Sequence, residues 1–337
     1  MMRAVFMGTP EFAAVSLRHV LDSGLCEVAG VYCQPDRPCG RGRKCVPLPV
    51  KKLALEQGLP IFQPESFKLP GAVETLAALA PDVLLVAAYG LILPKAVLAI
   101  PTYMPINVHA SLLPKYRGAA PIQRAIMAGE QVTGVTIMRI EPAMDSGPIL
   151  LQRALVIGQD DTAGTIHDEL AELGGRLLVE ALGRLRDGRL LEIPQDHDKA
   201  VYSPKIDKRE AEICWDRPAQ TVHDQIRAMT PHPGAYFFWR QDILKMPLRI
   251  NALPGAVGEP LPEGIRPGTI LGVTKGSLGV ACADRIYLIP RLRPAGKREQ
   301  SAEAFACGYL NKCVDPELSV CSSDELAGEV SKDSAAG

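Results

Sequence analysis

The chain has 337 residues, of which 47% are apolar and 22% charged, with a formal net charge of −1. That length accommodates two domains with separate cores, and the composition is ordinary for a soluble globular protein. No apolar run approaches the roughly 20 residues that a helix needs to cross a bilayer, so no membrane-spanning helix and no membrane partner are expected.

In chain order, Arg3–Met7 reads as a buried strand, and Gly8-Thr9-Pro10 as a turn into a helix over about residues 11–23. The apolar positions Phe12, Val15, Leu17, Val20 and Leu21 give that helix its stripe. No basic region or signal-peptide core precedes the first strand, so a cytoplasmic location is expected. Val28–Tyr32 is a second strand, and 82–88 a third that is apolar on both faces, as central parallel strands are. Another strand ends at Ile106-Asn107-Val108. Val132–Arg139 and Ile149–Val156 follow, with Asp145 in the turn between them, and Thr165 to Arg186 forms a long amphipathic helix. This alternation predicts a doubly wound, Rossmann-like, mostly parallel α/β sheet over residues 1–189. A polar stretch within 190–208 reads as a linker. Over 209–314, short β-rich runs separated by Gly/Pro turns predict a small barrel. They fall at 235–239, 248–250, 268–271, 279–282 and 286–289. Residues 315–337 are expected to be a disordered acidic tail.

That tail carries six acids and one base, a balance of −5, which leaves +4 on residues 1–314. Local patches therefore say more than the total. From Arg37 to Lys52 there are six bases and no acid, in a stretch punctuated by Gly and Pro. Such a loop can follow an RNA backbone. The nine cysteines show no zinc-ligand spacing, so reduced thiols and no metal are expected. Gly8-Thr9-Pro10 lacks the G-x-G-x-x-G spacing that lets a backbone approach a pyrophosphate, which argues against NAD.

The most informative stretch is Asn107-Val108-His109-Ala110-Ser111-Leu112-Leu113-Pro114, followed by Lys115-Tyr116-Arg117-Gly118-Ala119-Ala120-Pro121. Asn107 and His109 are two apart, so on a strand both side chains leave the same face. An amide donor beside an imidazole suits a reaction in which a carbonyl oxygen becomes negative and protons move. An N-x-H pair alone is a weak signal. The whole run, with Met144-Asp145-Ser146-Gly147 downstream, resembles the signature of the folate-dependent formyltransferases. The resemblance extends from Arg3 to Lys297 and includes Gln34–Pro38 and Ala88–Pro94.

The resemblance implies an OB-like fold for the carboxy-terminal barrel, 10-formyltetrahydrofolate as formyl donor, and the α-amine of methionyl initiator tRNA as acceptor. It makes Asn107, His109 and Asp145 catalytic. Asn107 would donate to the formyl oxygen, His109 would donate or shuttle a proton, and Asp145 would orient the imidazole or accept a proton through water. An aminoacyl amine has a pKa near 7.7–8.0, so a useful fraction is neutral without a strong base. The heavier demands are the oxyanion, the proton lost by the amine and the proton gained by the leaving nitrogen. Ser111, Leu112, Leu113 and Pro114 would form one wall of the folate pocket, and Tyr89, Gly90 and Leu91 the other. Arg37, Arg41, Arg43 and Lys44 would meet tRNA. Apart from the resemblance, Arg291, Arg293, Lys297 and Arg298 near the end of the barrel would either continue the basic track or serve solubility. A monomer is expected. Two other readings stay open at this point. One is a formyltransferase acting on glycinamide ribonucleotide or an amino sugar, and the other is a noncatalytic RNA-binding protein.

Overall fold

A computed structural model of the chain describes residues 1–36, 47–239, 247–310 and 320–321. It divides into two compact units. The first comprises residues 1–122, 132–157 and 165–205, and the second comprises 123–131, 158–164 and the chain from 206 onward.

The first unit is built on a seven-stranded sheet. Its strands are β1 (Met2–Gly8), β2 (Cys26–Tyr32), β3 (Ile61–Phe62), β4 (Val83–Ala87), β5 (Met104–His109), β7 (Val132–Arg139) and β8 (Ile149–Val156). A two-stranded pair, β6 (Arg117–Gly118) and β9 (Tyr202–Ser203), lies apart from it. The sheet order is β3-β2-β1-β4-β5-β7-β8, in which the first five strands are parallel. β7 and β8 are antiparallel additions. The loop of residues 140–148 is a hairpin connection, too short for the crossover that a parallel pair needs. All residues of β4 are buried, as are all of β1 except Arg3, which accounts for their unbroken apolar runs.

Helices α1 (Glu11–Ser23), α2 (Pro49–Glu56), α3 (Ala72–Ala78), α4 (Lys95–Leu98), α5 (Pro121–Met127) and α6 (Ala163–Arg186) connect or follow these strands. At the turn from β1 into α1, a Cβ on Gly8 would lie 2.5 Å from Ala13 Cβ and 2.8 Å from Ala87 O. The close approach of helix, turn and neighbouring strand therefore requires glycine there.

The stretch expected as a linker is built into the first unit as far as Lys205. Ile193 exchanges both backbone hydrogen bonds with Ile149, Gln195 is buried, and β9 pairs with β6. Polar composition disguises this, because the segment is held by hydrogen bonds and not by an apolar face.

The second unit contains α7 (Ala219–Ala228), α8 (Ala302–Gly308) and two antiparallel sheets. The small barrel expected here is seen as a five-stranded and a four-stranded sheet. The strands are β10 (Tyr236–Trp239), β11 (Leu248–Ala252), β12 (Ala256–Pro260), β13 (Ile270–Thr274), β14 (Ser277–Ala281), β15 (Arg285–Ile289), β16 (Arg291–Pro294), β17 (Gln300–Ser301) and β18 (Val320–Cys321). The orders are β17-β16-β11-β10-β18 and β12-β15-β14-β13. Trp215, Phe237, Trp239, Tyr287, Leu292 and Phe305 lie in one core cluster. Of the tail, β18 pairs with β10, and the rest of 315–337 lies outside the described residues.

Candidate active site

β5 carries Asn107 and His109 at its carboxyl end, between β4 and β7. Asn107 stands opposite Met138 and beside Val86, and His109 stands opposite Thr136. The alternation of the strand sends both side chains to one face, as the spacing predicted. Asn107 is partly exposed, and its amide makes no side-chain hydrogen bond among the described residues. His109 is only 6% exposed, and its Nε2 lies 2.9 Å from Tyr116 O. A carbonyl can only accept, so Nε2 donates and the neutral ring keeps its lone pair on Nδ1.

That lone pair faces Asp145, whose Oδ2 is 3.8 Å from Nδ1. Asp145 sits in the β7–β8 connection with a left-handed φ of +47. Its Oδ2 accepts the Gly118 N–H at 2.8 Å. An amide, an imidazole and a carboxylate from a strand end and a distant loop are thus gathered on one side of the sheet. They offer a donor for an oxyanion and two groups able to carry protons.

The loop after His109 is held in place by its own polar contacts. Thr136, fully buried, donates from Oγ1 to Ser111 O at 2.7 Å and accepts Leu113 N–H at 3.1 Å. Gln152 Nε2 donates to Leu113 O at 2.7 Å and to Thr136 Oγ1 at 2.9 Å. Ser203 Oγ lies 3.0 Å from both Tyr116 O and Arg117 O. The Leu113–Pro114 peptide is cis.

The expected pocket residues divide by burial. The Ser111 hydroxyl is buried and donates to Lys115 O at 2.7 Å, and Leu113 is buried in the core. Leu112 and Pro114 remain partly exposed. Leu112 lies over β7 at Gly134, where a Cβ would come within 2.6 Å of Leu112 Cδ2. On the other loop, Tyr89 is buried and its hydroxyl has no hydrogen-bond partner among the described residues. Burial raises the Tyr89 phenol well above its ordinary pKa, and Cys33 and Tyr32 add to the rise. Gly90 is exposed, with φ +80, and Leu91 is partly exposed. Both loops leave the carboxyl ends of adjacent strands, where open α/β sheets place ligands.

Arg37, Arg41, Arg43 and Lys44 lie outside the described residues. Two other bases of that stretch are placed in α2 and are paired. Lys51 contacts Asp36 and donates to Gln63 Oε1 at 2.9 Å, while Lys52 stands 4.0 Å from Glu56. Arg291 contacts Glu299, and Arg293, Lys297 and Arg298 are exposed. Five cysteines are free among the described residues, and no group of three His, Cys, Asp or Glu residues there could hold a metal. No helix of the described residues is long and apolar enough to cross a membrane.

Sequence reasoning missed Arg117, Thr136, Gln152 and Gln195. Arg117 is buried and donates from Nε and Nη2 to Gln195 Oε1 at 3.1 and 2.7 Å. Gln195 Nε2 in turn donates to Asp145 O at 2.9 Å and Gly147 O at 2.7 Å. No spacing in the chain announces a contact between residues 117 and 195.

Residues 2–182 match the formyl transferase family, and residues 205–310 match its C-terminal domain. The chain is 52% identical over 322 residues to the methionyl-tRNA formyltransferase of Nitratidesulfovibrio vulgaris, covering 95% of this chain and 97% of that one. It is 48% identical over 304 residues to the methionyl-tRNA formyltransferase of Methylococcus capsulatus, covering 90% and 96%. Among solved structures, HypX from Aquifex aeolicus in complex with tetrahydrofolic acid is similar with TM-score 0.59 and 18% identity. That match covers 93% of this chain and 48% of that one. The N-formyltransferase from Helicobacter canadensis, in complex with folinic acid and dTDP-3-aminofucose, gives TM-score 0.60 and 17% identity, covering 89% and 100%. At those identities the two structures speak to the fold.

Proposed function

The chain belongs to the formyl transferase family, and from that premise we propose that it moves the formyl group of 10-formyltetrahydrofolate to the α-amine of methionyl initiator tRNA. The observation that carries the reading is the 3.8 Å approach of Asp145 to His109, beside a strand face that Asn107 shares by alternation. In the reaction the amine nitrogen bonds to the formyl carbon and the carbonyl oxygen becomes an oxyanion. The bond from that carbon to the folate nitrogen then breaks. The amine loses one proton and the folate nitrogen gains one. Asn107 donates its amide N–H to the developing oxyanion, a contribution on the order of 10²–10³ in rate. His109, with Nδ1 open, takes the proton from the new ammonium, and Asp145 stabilises the imidazolium that results. Each contribution falls short of the roughly 10⁶ at the low end of enzymic acceleration, so orientation of the two substrates must add to both.

Leu112, Pro114 and the backbone of Ser111 and Leu113 line one side of the folate site. Leu91 and the Tyr89–Gly90 backbone line the other. Apolar walls with a few backbone polar groups suit a pterin. Arg37, Arg41, Arg43 and Lys44 contact the tRNA backbone; their support is a run of bases without an acid.

The test is incubation with 10-formyltetrahydrofolate and a panel of charged tRNAs, with mass identification of the product. Formylmethionyl initiator tRNA is expected. Formylation of an amino sugar or of glycinamide ribonucleotide instead would move the chain to another branch of the family, and RNA binding without a formyl product would remove the catalytic reading.

A further inference from the structure

Asp145 is held from two directions by adjacent residues of one short segment. Gly118 N–H donates to its carboxylate at 2.8 Å. Arg117, one residue earlier, reaches the backbone of the same loop through Gln195. The result is a closed circuit from Arg117 to Gly118, Asp145, Gln195 and back.

Gln195 is 6% exposed and its carboxamide is fully engaged. Its amide nitrogen donates to both Asp145 O and Gly147 O. The oxygen accepts two hydrogen bonds from Arg117. A flipped carboxamide would turn its NH₂ toward a guanidinium and its oxygen toward two carbonyls, so Arg117 fixes the orientation. Arg117 is itself 3% exposed and forms no salt bridge among the described residues. Its remaining side-chain contact is Nη2 to His197 Nδ1 at 3.0 Å. A buried cation committed to a neutral amide is unusual for a structural role alone, since a carboxylate would satisfy it better. A carboxylate at position 195, however, could not donate to residues 145 and 147.

We infer that Gln195 is a positioning residue for Asp145, with Arg117 setting the direction of its amide. The inference rests on the reading of Asp145 as part of the catalytic set. Asp145 holds a left-handed backbone, which aspartate tolerates better than most side chains but at some cost relative to the right-handed form. Gln195 holds that loop through its hydrogen bonds to the carbonyls of Asp145 and Gly147.

The decisive variant is Gln195→Glu. One carboxylate oxygen keeps both Arg117 bonds, so the buried cation remains paired. The other oxygen faces two carbonyl oxygens and releases the loop. Two readouts are taken on full-length protein: backbone hydrogen exchange over residues 144–147, and steady-state formyl transfer, each repeated in an Asp145→Asn background. The expected result is faster exchange over 144–147 and a kcat lowered about tenfold to a hundredfold, the scale of a misplacement near 1 Å. KM should stay within about twofold, and Q195E should add little in the Asp145→Asn background, because residues acting as one unit are not additive. Unchanged exchange overturns the inference. So does a kcat loss that recurs in full beside Asp145→Asn, or a Gln195→Ala protein of lowered thermal midpoint whose folded fraction turns over normally. If Asp145→Asn alone keeps full turnover, the reading of Asp145 fails, and the positioning role fails with it, in an arm that contains no change at Gln195.

Discussion

His109 presents Nδ1 to Asp145 Oδ2 across 3.8 Å, while its Nε2 is committed at 2.9 Å to the carbonyl of Tyr116. The second contact fixes the tautomer, and the first is too long for a hydrogen bond. The carboxylate and the ring therefore do not form a closed pair in the neutral state. Nδ1 is left free to take a proton, with a negative group close enough to stabilise the cation once it forms. Both atoms are acceptors in that state, so a hydrogen bond between them forms only after Nδ1 has taken its proton.

Replacing His109 by Ala is accordingly expected to lower formyl transfer by about 10²–10⁴, the range for a positioned acid or base. Single-turnover measurement on preformed complexes isolates the chemical step, and tRNA affinity should stay near that of the parent. Turnover close to the parent value would remove His109 from its role.

Thr136→Val tests the scaffold under the site. The substitution keeps the shape and removes three hydrogen bonds, leaving Ser111 O and Leu113 N–H in a fully buried setting with one partner fewer each. Buried polar groups left unpaired cost about 1–3 kcal/mol each, so unfolding by urea should show a loss of that order. KM for the formyl donor should rise as the 111–114 loop loosens. A stability equal to the parent would mean that solvent reaches the two groups.

Much of this architecture is legible in the chain itself. The apolar runs at β1 and β4 and the stripe of α1 report periodicities of one local element, and Asn107 and His109 share a face because a strand alternates. Asp145 is accessible only through the resemblance, since nothing local ties a D-S-G turn to an imidazole 36 positions earlier. Gln195 reads as linker for a physical reason as well. Its segment is fixed by hydrogen bonds to residues 117, 145 and 147, and polar residues that satisfy one another across the fold leave no periodic trace. The same limit applies to Lys51 and Lys52, which count as free bases in the sequence although Asp36 and Glu56 stand beside them.

Alkaline stability should depend on Cys282. Burial raises this thiol from 9.0 to about 12, and Asp284 adds to the rise. The neutral form is favoured in the folded protein, so the group's contribution is complete below the unfolded value near 9. It is lost as pH climbs through that value toward about 12. The thermal midpoint should therefore fall between pH 9 and 11, and Cys282→Ala should make that fall shallower. The slopes must be compared, because the missing sulfur lowers the midpoint at every pH. Equal slopes would show that Cys282 is not shielded.

Arg41→Ala with Arg43→Ala addresses the acceptor. Each arginine–phosphate pairing removed should reduce the slope of log affinity against log salt by about 0.9, the value for a duplex. Weaker tRNA binding with a flatter slope is expected. An unchanged slope would favour a small amine as acceptor.

Gly90→Ala probes the coupling between the two loops at the carboxyl end of the sheet. Gly90 holds φ +80, and a Cβ there would lie 2.3 Å from Gln34 Nε2. The left-handed backbone alone costs a non-glycine residue about 1–2 kcal/mol. Gln34 has more to lose, because its amide donates to Tyr89 O at 3.1 Å, and the same carbonyl accepts from Thr9 Oγ1 at 3.1 Å. Gln34 N–H also donates to Thr9 Oγ1 at 3.3 Å, so these residues tie the strand end of β2 to the loop after β4. Displacing Gln34 would release the Tyr89–Leu91 loop while leaving Asn107, His109 and Asp145 in place. The expected signature is a raised KM for the formyl donor with kcat nearly unchanged, beside a modest loss in urea stability. A fall in kcat at constant KM would place this loop's influence on the reacting groups and not on the donor's pocket.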